Sequence, residues 1–260
     1  MKLTVLGCAG GIGGRERLTT CLLVDDDILL DAGTGISSLD LDALLRIEHV
    51  FITHAHLDHV AGLALLVDAT QGKRSAPLTI HAAEDVINAL TAHLFNWVLW
   101  PDFATIPTEL APTMVWQLMA HGAKITLGER VIRSLPVNHA PGSSAYEVCG
   151  AANGFLFTGD MCSTPALWKE LAARPQIGTV IVDCSFANAE ERLAALSMHL
   201  CPASLIEDVA AVPQGVEFLI YHLKPGHEDL IMQELQATSR AAGRARRFRA
   251  LHCGDQFEFP

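Results

Sequence analysis

Thr53-His54-Ala55-His56-Leu57-Asp58-His59 places three imidazoles and a carboxylate within six consecutive residues, His54 to His59. The apolar run His49-Val-Phe-Ile-Thr53 leads into it and reads as a strand. On an extended chain, side chains two apart face the same way, so His54 and His56 present their rings together. A helix starting just after them puts Asp58 and His59 on its first turn, beside those rings. Packing alone does not gather four polar groups at a strand-to-helix junction, because each one buried without a partner is costly. A mixed set of imidazole and carboxylate suits Zn²⁺, Mn²⁺ or Fe²⁺. The stretch therefore reads as a metal site.

The surrounding chain can support such a site. Its 260 residues are half apolar and poor in aromatics, which is ordinary globular composition. A chain of this size buries roughly three quarters of its unfolded surface. The formal net charge of −11 opposes a long polyanion, so no nucleic-acid partner is expected. A small anion is a different matter, because bound cations offset that charge. The basic run from Arg240 to Arg249 reads as a solvated helix end or turn. Seven scattered Cys without a CxxC pair argue against a disulfide framework. No segment reads as a signal peptide or a membrane span. A reduced, cytoplasmic protein with no membrane partner is the expectation.

Short apolar runs bounded by turn residues predict strands over 3–6, 21–24, 28–30, 50–52, 78–80, 131–137, 144–148, 154–157, 179–182 and 217–220. Helical periodicity predicts helices over 39–47, 57–67, 83–94, 203–212 and 228–242. Strands come first and helices punctuate the later ones, which suggests sheets covered by helices, an α/β layered fold. No linker interrupts 1–260, so one domain is expected. Residues 94–116 stand apart. They hold Phe95, Trp97, Trp100, Phe103 and Trp116 with Pro101, Pro107 and Pro112, and read as an irregular excursion from the core. It is a packed satellite cluster on one reading, an aromatic lid or dimer surface on another.

Three later strands end in metal-ligand residues: Leu135-Pro-Val-Asn-His139, Phe155-Leu-Phe-Thr-Gly-Asp160 and Phe218-Leu-Ile-Tyr-His222. With the HxHxDH stretch, and with the early run Leu29-Leu-Asp31-Ala-Gly-Thr-Gly35, they resemble the metallo-β-lactamase superfamily along nearly the whole chain. The resemblance implies a four-layer αββα sandwich. It implies that His54, His56 and His139 bind one metal, that Asp58, His59 and His222 bind a second, and that Asp160 bridges them. Two such metals, Zn²⁺ by expectation, can share a hydroxide and clamp both oxygens of an in-line displacement, with Asp58 orienting the nucleophile.

Within the superfamily, the separation of His199 from His222 resembles that of the phosphodiesterase branch, which includes tRNA 3′-processing enzymes. The resemblance implies that His199, steadied by Asp183, contacts the scissile phosphate and protonates the leaving oxygen. His54-Ala-His-Leu-Asp-His-Val-Ala-Gly62, Pro136-Val-Asn-His139, Gly142-Ser-Ser-Ala-Tyr146, Asp183-Cys-Ser185 and His199-Leu-Cys-Pro202 are similar to class II cyclic-nucleotide phosphodiesterases. After Leu63 the chain departs from that family's usual Ser and small residue, reading Ala64-Leu-Leu-Val-Asp68. The implied substrate is a small phosphodiester, 3′,5′-cyclic AMP or GMP, hydrolysed to the 5′-monophosphate. Trp97, Trp100 and Tyr146 are candidates to stack on the base, and a homodimer is expected. Thioester or lactone hydrolysis, tRNA 3′-end cleavage and a non-catalytic metal-binding member of the fold are the competing readings.

Overall fold

The computed structural model describes residues 1–243 and 246–260. In the first half lie β1 (Lys2–Gly7), β2 (Cys21–Val24), β3 (Ile28–Leu30), α1 (Leu41–Arg46), β4 (His49–Phe51), α2 (Leu57–Val60), α3 (Leu63–Thr70), β5 (Leu78–Ala82) and α4 (Glu84–His93). The short pair β6 (Pro107–Thr108) and β7 (Ala111–Pro112) follows, then β8 (Met114–Leu118). The second half holds β9 (Lys124–Leu127), β10 (Arg130–Pro136), β11 (Ser144–Cys149), β12 (Gly154–Phe157), α5 (Pro165–Ala172), β13 (Ile177–Asp183), α6 (Glu191–Leu196), α7 (Pro202–Asp208), β14 (Glu217–Tyr221), α8 (Glu228–Ala241), β15 (Arg247–Ala250) and β16 (Gln256–Glu258).

Two seven-stranded sheets result, ordered β16-β1-β2-β3-β4-β5-β8 and β15-β14-β13-β12-β11-β10-β9. Period-two alternation sorts their side chains into three apolar layers. On β13, Ile181 points between the sheets with Phe51, Phe157 and Leu219, while Val180 and Val182 point outward with Phe218, Ile220 and residues of α5, α7 and α8. On β4 and just after it, Phe51 points inward, while Val50 and Ile52 point outward with Leu63 and Leu66 of α3 and Val86 and Leu90 of α4. Helices therefore cover both outer faces, giving the αββα layering the sequence implies. Among the described residues, no helix is long and apolar enough to cross a membrane.

The expected helix over 57–67 is two helices. The chain breaks at Gly62, where a Cβ would lie 2.3 Å from Ile36 Cγ2 and 2.7 Å from the Gly33 carbonyl. The expected helix over 203–212 stops at Asp208 and continues as a 3₁₀ turn over Val209–Ala211. Among the described residues, the short pair β6–β7 and four strands of the two large sheets, β8, β9, β15 and β16, escape the sequence reading, and those four are the sheet edges.

Strands β3, β4, β5 and β8 run parallel, as do β12, β13, β14 and β15. Their C-terminal ends share one edge, and that edge carries the chemistry. Helix α4 carries the chain back from this edge, so the excursion lies where β5 and β8 begin: the Leu78 amide donates to the Thr113 carbonyl, and Leu78 pairs with Met114. Phe95 and Phe103 are buried there, whereas Trp97, Val98, Leu99 and Leu110 are exposed.

The basic run near the end is more engaged than a solvated turn. Arg246 donates to the Val209 and Val212 carbonyls at 2.8 and 2.7 Å, and Arg249 pairs with Asp255 at 3.0 Å. Arg244 and Ala245 lie outside the described residues.

Candidate metal centre

The fold brings seven distant side chains to one point. Asp160 Oδ2 lies 3.3 Å from His59 Nε2, 3.1 Å from His222 Nε2, 3.8 Å from His54 Nε2 and 4.0 Å from His139 Nε2. His56 Nδ1 is 3.1 Å from His139 Nε2, and Asp58 Oδ2 is 3.1 Å from His222 Nε2. Two groups emerge: His54, His56 and His139, and beside them Asp58, His59, Asp160 and His222. In each, the donor atoms lie within 4.8 Å of one another, and each could hold a metal ion.

Four of the rings are held by the nitrogen that faces away from the cluster. His54 Nδ1 meets Thr53 Oγ1 at 3.0 Å, and His59 Nδ1 donates to Asp31 Oδ2 at 2.7 Å. His139 Nδ1 donates to the Met198 carbonyl at 2.9 Å, and His222 Nδ1 meets Ser185 Oγ at 2.8 Å. Occupying Nδ1 leaves each Nε2 lone pair facing inward, the usual way a protein fixes the tautomer of a metal-binding histidine. His56 is the exception and turns Nδ1 inward. His54 Nε2 and His59 Nε2 are buried and find no hydrogen-bond partner of good geometry among the described residues. Orphaned nitrogens at the centre of a buried cluster fit a site built to receive a cation.

The backbone is forced as well. Asp31, Met198 and His222 all adopt left-handed φ values, 57°, 58° and 62°, which are unfavourable for residues with a Cβ. Each one holds or supplies a ligand. Strain of this kind persists only where the surroundings over-determine it. His222 is clamped by its amide bond to the Cys8 carbonyl at 2.8 Å. Gly10 packs against it so closely that a Cβ would lie 2.3 Å from the His222 carbonyl oxygen.

The electrostatics suit a positive charge. Burial pushes the His54, His56 and His139 imidazoles below their usual range, leaving neutral rings with free lone pairs. Burial also disfavours charge on His59, but Asp160 and Asp31 outweigh it and hold that ring's proton well above the ordinary value. Burial raises the Asp160 carboxyl, yet His222 and His59 pull it well below its usual range. At Asp58 burial acts upward, but the His222 hydrogen bond and His59 leave it low. A cation replaces the proton that such a cluster otherwise retains.

Asp183 and His199 sit against the cluster. His199 Nδ1 donates to Asp183 Oδ2 at 2.6 Å, and the His199 ring centroid is 5.0 Å from those of both His139 and His222. Burial works against a charged ring here, but Asp183 outweighs it and the His199 pKa is raised.

The stacking candidates do not reach this site. Tyr146 is completely buried between the sheets, with its hydroxyl donating to the Ile52 carbonyl at 2.8 Å. Its position on β11 faces the inner layer, so it cannot stack on a ligand. Trp97 and Trp100 lie in the excursion, at the edge where β5 and β8 begin, across the sheet from the histidines. Four residues that hold the site have no role in the sequence reading: Asp31, Thr53, Ser185 and Tyr221. Asp31 and Ser185 do lie in runs that carry the resemblance, Leu29-Leu-Asp31-Ala-Gly-Thr-Gly35 and Asp183-Cys-Ser185.

A family model described as anti-Pycsar protein Apyc1 matches residues 1–229. The chain belongs to that family. Among curated relatives of this Apyc1-family chain, a probable 3′,5′-cyclic-nucleotide phosphodiesterase from Yersinia pestis is 27% identical over 222 residues, covering 73% of this chain and 62% of that one. The chain thus spans about three fifths of that relative's length. A 3′,5′-cyclic-nucleotide phosphodiesterase from Schizosaccharomyces pombe is 26% identical over 250 residues, 82% of this chain and 70% of that one. A ribonuclease Z from Bradyrhizobium is 32% identical over 130 residues, 47% of this chain and 42% of that one. Among solved structures, unliganded yeast PDE1 superposes with a TM-score of 0.82 at 17% identity, covering 96% and 97% of the two chains. The metallo-β-lactamase-fold protein YhfI from Bacillus subtilis gives 0.76 at 18% identity, covering 99% of each. This Apyc1-family chain has the metallo-β-lactamase fold.

Proposed function

We propose that the chain is a metal-dependent phosphodiesterase that hydrolyses the 3′ bond of 3′,5′-cyclic nucleotides to give 5′-monophosphates. The observation that carries this reading is the Asp183–His199 pair, with the His199 ring 5.0 Å from rings of both candidate ligand groups. A lactone or thioester hydrolase has no evident use for that pair. Phosphodiester cleavage does, because an alkoxide leaving group needs a proton. The cyclic-nucleotide names of two relatives support the substrate class.

His54, His56 and His139 would hold one divalent cation, and Asp58, His59 and His222, with Asp160, a second. Bound there, two cations, Zn²⁺ first and Mn²⁺ or Fe²⁺ as alternatives, would make water available as a nucleophile near neutral pH and offset phosphate charge. Asp58, half-buried at the rim, accepts a hydrogen bond from the attacking water and orients it towards phosphorus. A P–O bond forms to that water, which releases a proton to solvent, and the bond to the ribose 3′ oxygen breaks; solvent afterwards reprotonates His199. His199 gives its Nε2 proton to the departing oxygen, while Asp183 steadies the imidazolium. The buried layer around Thr53, Asp31 and Ser185 keeps the rings in register during the step.

The test is a substrate panel on protein loaded with Zn²⁺ or Mn²⁺: purine and pyrimidine 3′,5′-cyclic nucleotides, bis(p-nitrophenyl) phosphate, a thioester and a lactone. Cyclic AMP is expected to yield 5′-AMP. Turnover of bis(p-nitrophenyl) phosphate with no cyclic nucleotide cleaved would reduce the reading to a general phosphodiesterase. Preference for the lactone or thioester would overturn it. A second reading, cleavage of tRNA 3′ ends, draws on the ribonuclease Z relatives. The net charge of −11 opposes it, and pre-tRNA added to the panel tests it.

A further inference from the structure

We infer that Ser185 is a positioning residue that couples the His222 side of the metal cluster to the Asp183–His199 pair. This rests on the proposed reading of the site and deepens it. Ser185 stands two residues past the end of β13 and is completely buried. Its hydroxyl donates to Asp183 Oδ1 and lies 2.8 Å from His222 Nδ1 and 3.3 Å from His199 Nδ1. A serine hydroxyl has one proton to give and two lone pairs. With the proton committed to Asp183, the oxygen accepts from the His222 Nδ1–H. That contact fixes the His222 tautomer and turns its Nε2 towards Asp58 Oδ2 and Asp160 Oδ2, both at 3.1 Å.

The other Asp183 oxygen takes the His199 Nδ1–H at 2.6 Å. One carboxylate thereby orients the proton donor with one oxygen and, through Ser185, a metal-side imidazole with the other. The main chain repeats the link. The Ser185 amide donates to the Leu200 carbonyl at 3.0 Å, next to His199, and the Ser185 carbonyl accepts from the Lys224 amide at 3.4 Å, two residues past His222. The residue is tied to both partners by backbone and side chain alike, so the two functions move together.

The experiment compares wild type, Ser185→Ala and Ser185→Thr by calorimetric titration of the metal-stripped protein with Zn²⁺, by the absorption spectrum of the Co²⁺-loaded protein, and by kcat and KM on bis(p-nitrophenyl) phosphate and cyclic AMP. Removing an outer hydrogen bond to a metal ligand typically costs about 10–100-fold in affinity or activity. In Ser185→Ala, one of the two Zn²⁺ equivalents should weaken by about that factor, its Co²⁺ band should shift, and kcat should fall with KM little changed. Ser185→Thr keeps the hydroxyl and should restore both the affinity and kcat. Two tight equivalents in Ser185→Ala would overturn the inference. So would equal losses in the Ala and Thr variants, which would mark a packing role. A wild-type protein that binds only one equivalent would overturn the two-cation reading as well, and that shows before any variant is compared.

Discussion

The Tyr221 hydroxyl donates to Asp160 Oδ1 at 2.8 Å, and this leaves Asp160 Oδ2 as the oxygen that faces four imidazoles. Tyr221 is the last residue of β14 and is buried between the sheets, so the bond cannot be replaced by water. Tyr221→Phe keeps the ring and removes the donor. A hydrogen bond to a charged group is worth about 1.5–3 kcal/mol. The metal-stripped variant is expected to lose stability of about that size in urea titration, and metal affinity should fall with it, because Asp160 is free to rotate.

Asp31 gives the same argument from the other sheet. Its two oxygens accept from the Thr53 amide and hydroxyl and from His59 Nδ1, at 2.7–2.8 Å. Burial raises the Asp31 carboxyl, with His59 and Thr53 opposing that rise. Asp31→Ala removes the Nδ1 anchor of the His59 ring. Loss of about 10–100-fold in metal affinity is expected, measured by competition with a chromogenic chelator.

His199→Ala should separate proton donation from binding. Positioned general acids contribute about 10²–10⁴-fold. That loss is expected in kcat on cyclic AMP, whose sugar oxygen departs poorly without a proton. Bis(p-nitrophenyl) phosphate should be much less affected, because its phenolate leaves unaided. Equal losses on the two substrates would assign His199 to binding instead.

His81 makes the fold acid-sensitive away from the metals. Burial, reinforced by the neighbouring His49, lowers its pKa to about 4. Its ring stacks on Phe51 at 4.2 Å. An unfolded histidine titrates near about 6.5, so the unfolded chain takes up a proton that the fold refuses. The stabilising contribution is full above pH ~6.5 and is lost as pH falls towards ~4. The stability of His81→Gln should depend less on pH across that window than wild type, as read from urea midpoints.

How much of this could be read from the chain depends on whether the signal is local. The four ligand-type residues from His54 to His59 declare themselves, because strand and helix geometry alone makes them converge. His139, Asp160 and His222 need the order of strands, and each stands just past a strand end, as expected. The four unseen strands of the two large sheets are their edges. Arg247 and Arg249 on β15, and Gln256 and Glu258 on β16, are edge charges and polar groups that keep a sheet from pairing further, and they hide the apolar pattern. Tyr146 and Trp97 misled for another reason. An aromatic residue looks the same in sequence whether it faces an inner layer or a pocket. Where Trp97 sits depends on the direction in which α4 runs, which no local pattern encodes. The role of Thr53 is silent too, and Ser185 shows only as part of a motif, since a buried hydroxyl holding an imidazole looks like any other serine or threonine.

Metal stoichiometry tests the central claim most directly. Protein purified, stripped, reloaded with Zn²⁺ and dialysed should carry two equivalents per chain by elemental analysis, falling towards one in His222→Ala. A wild-type protein that retains one equivalent or none while still cleaving phosphodiesters would contradict the account.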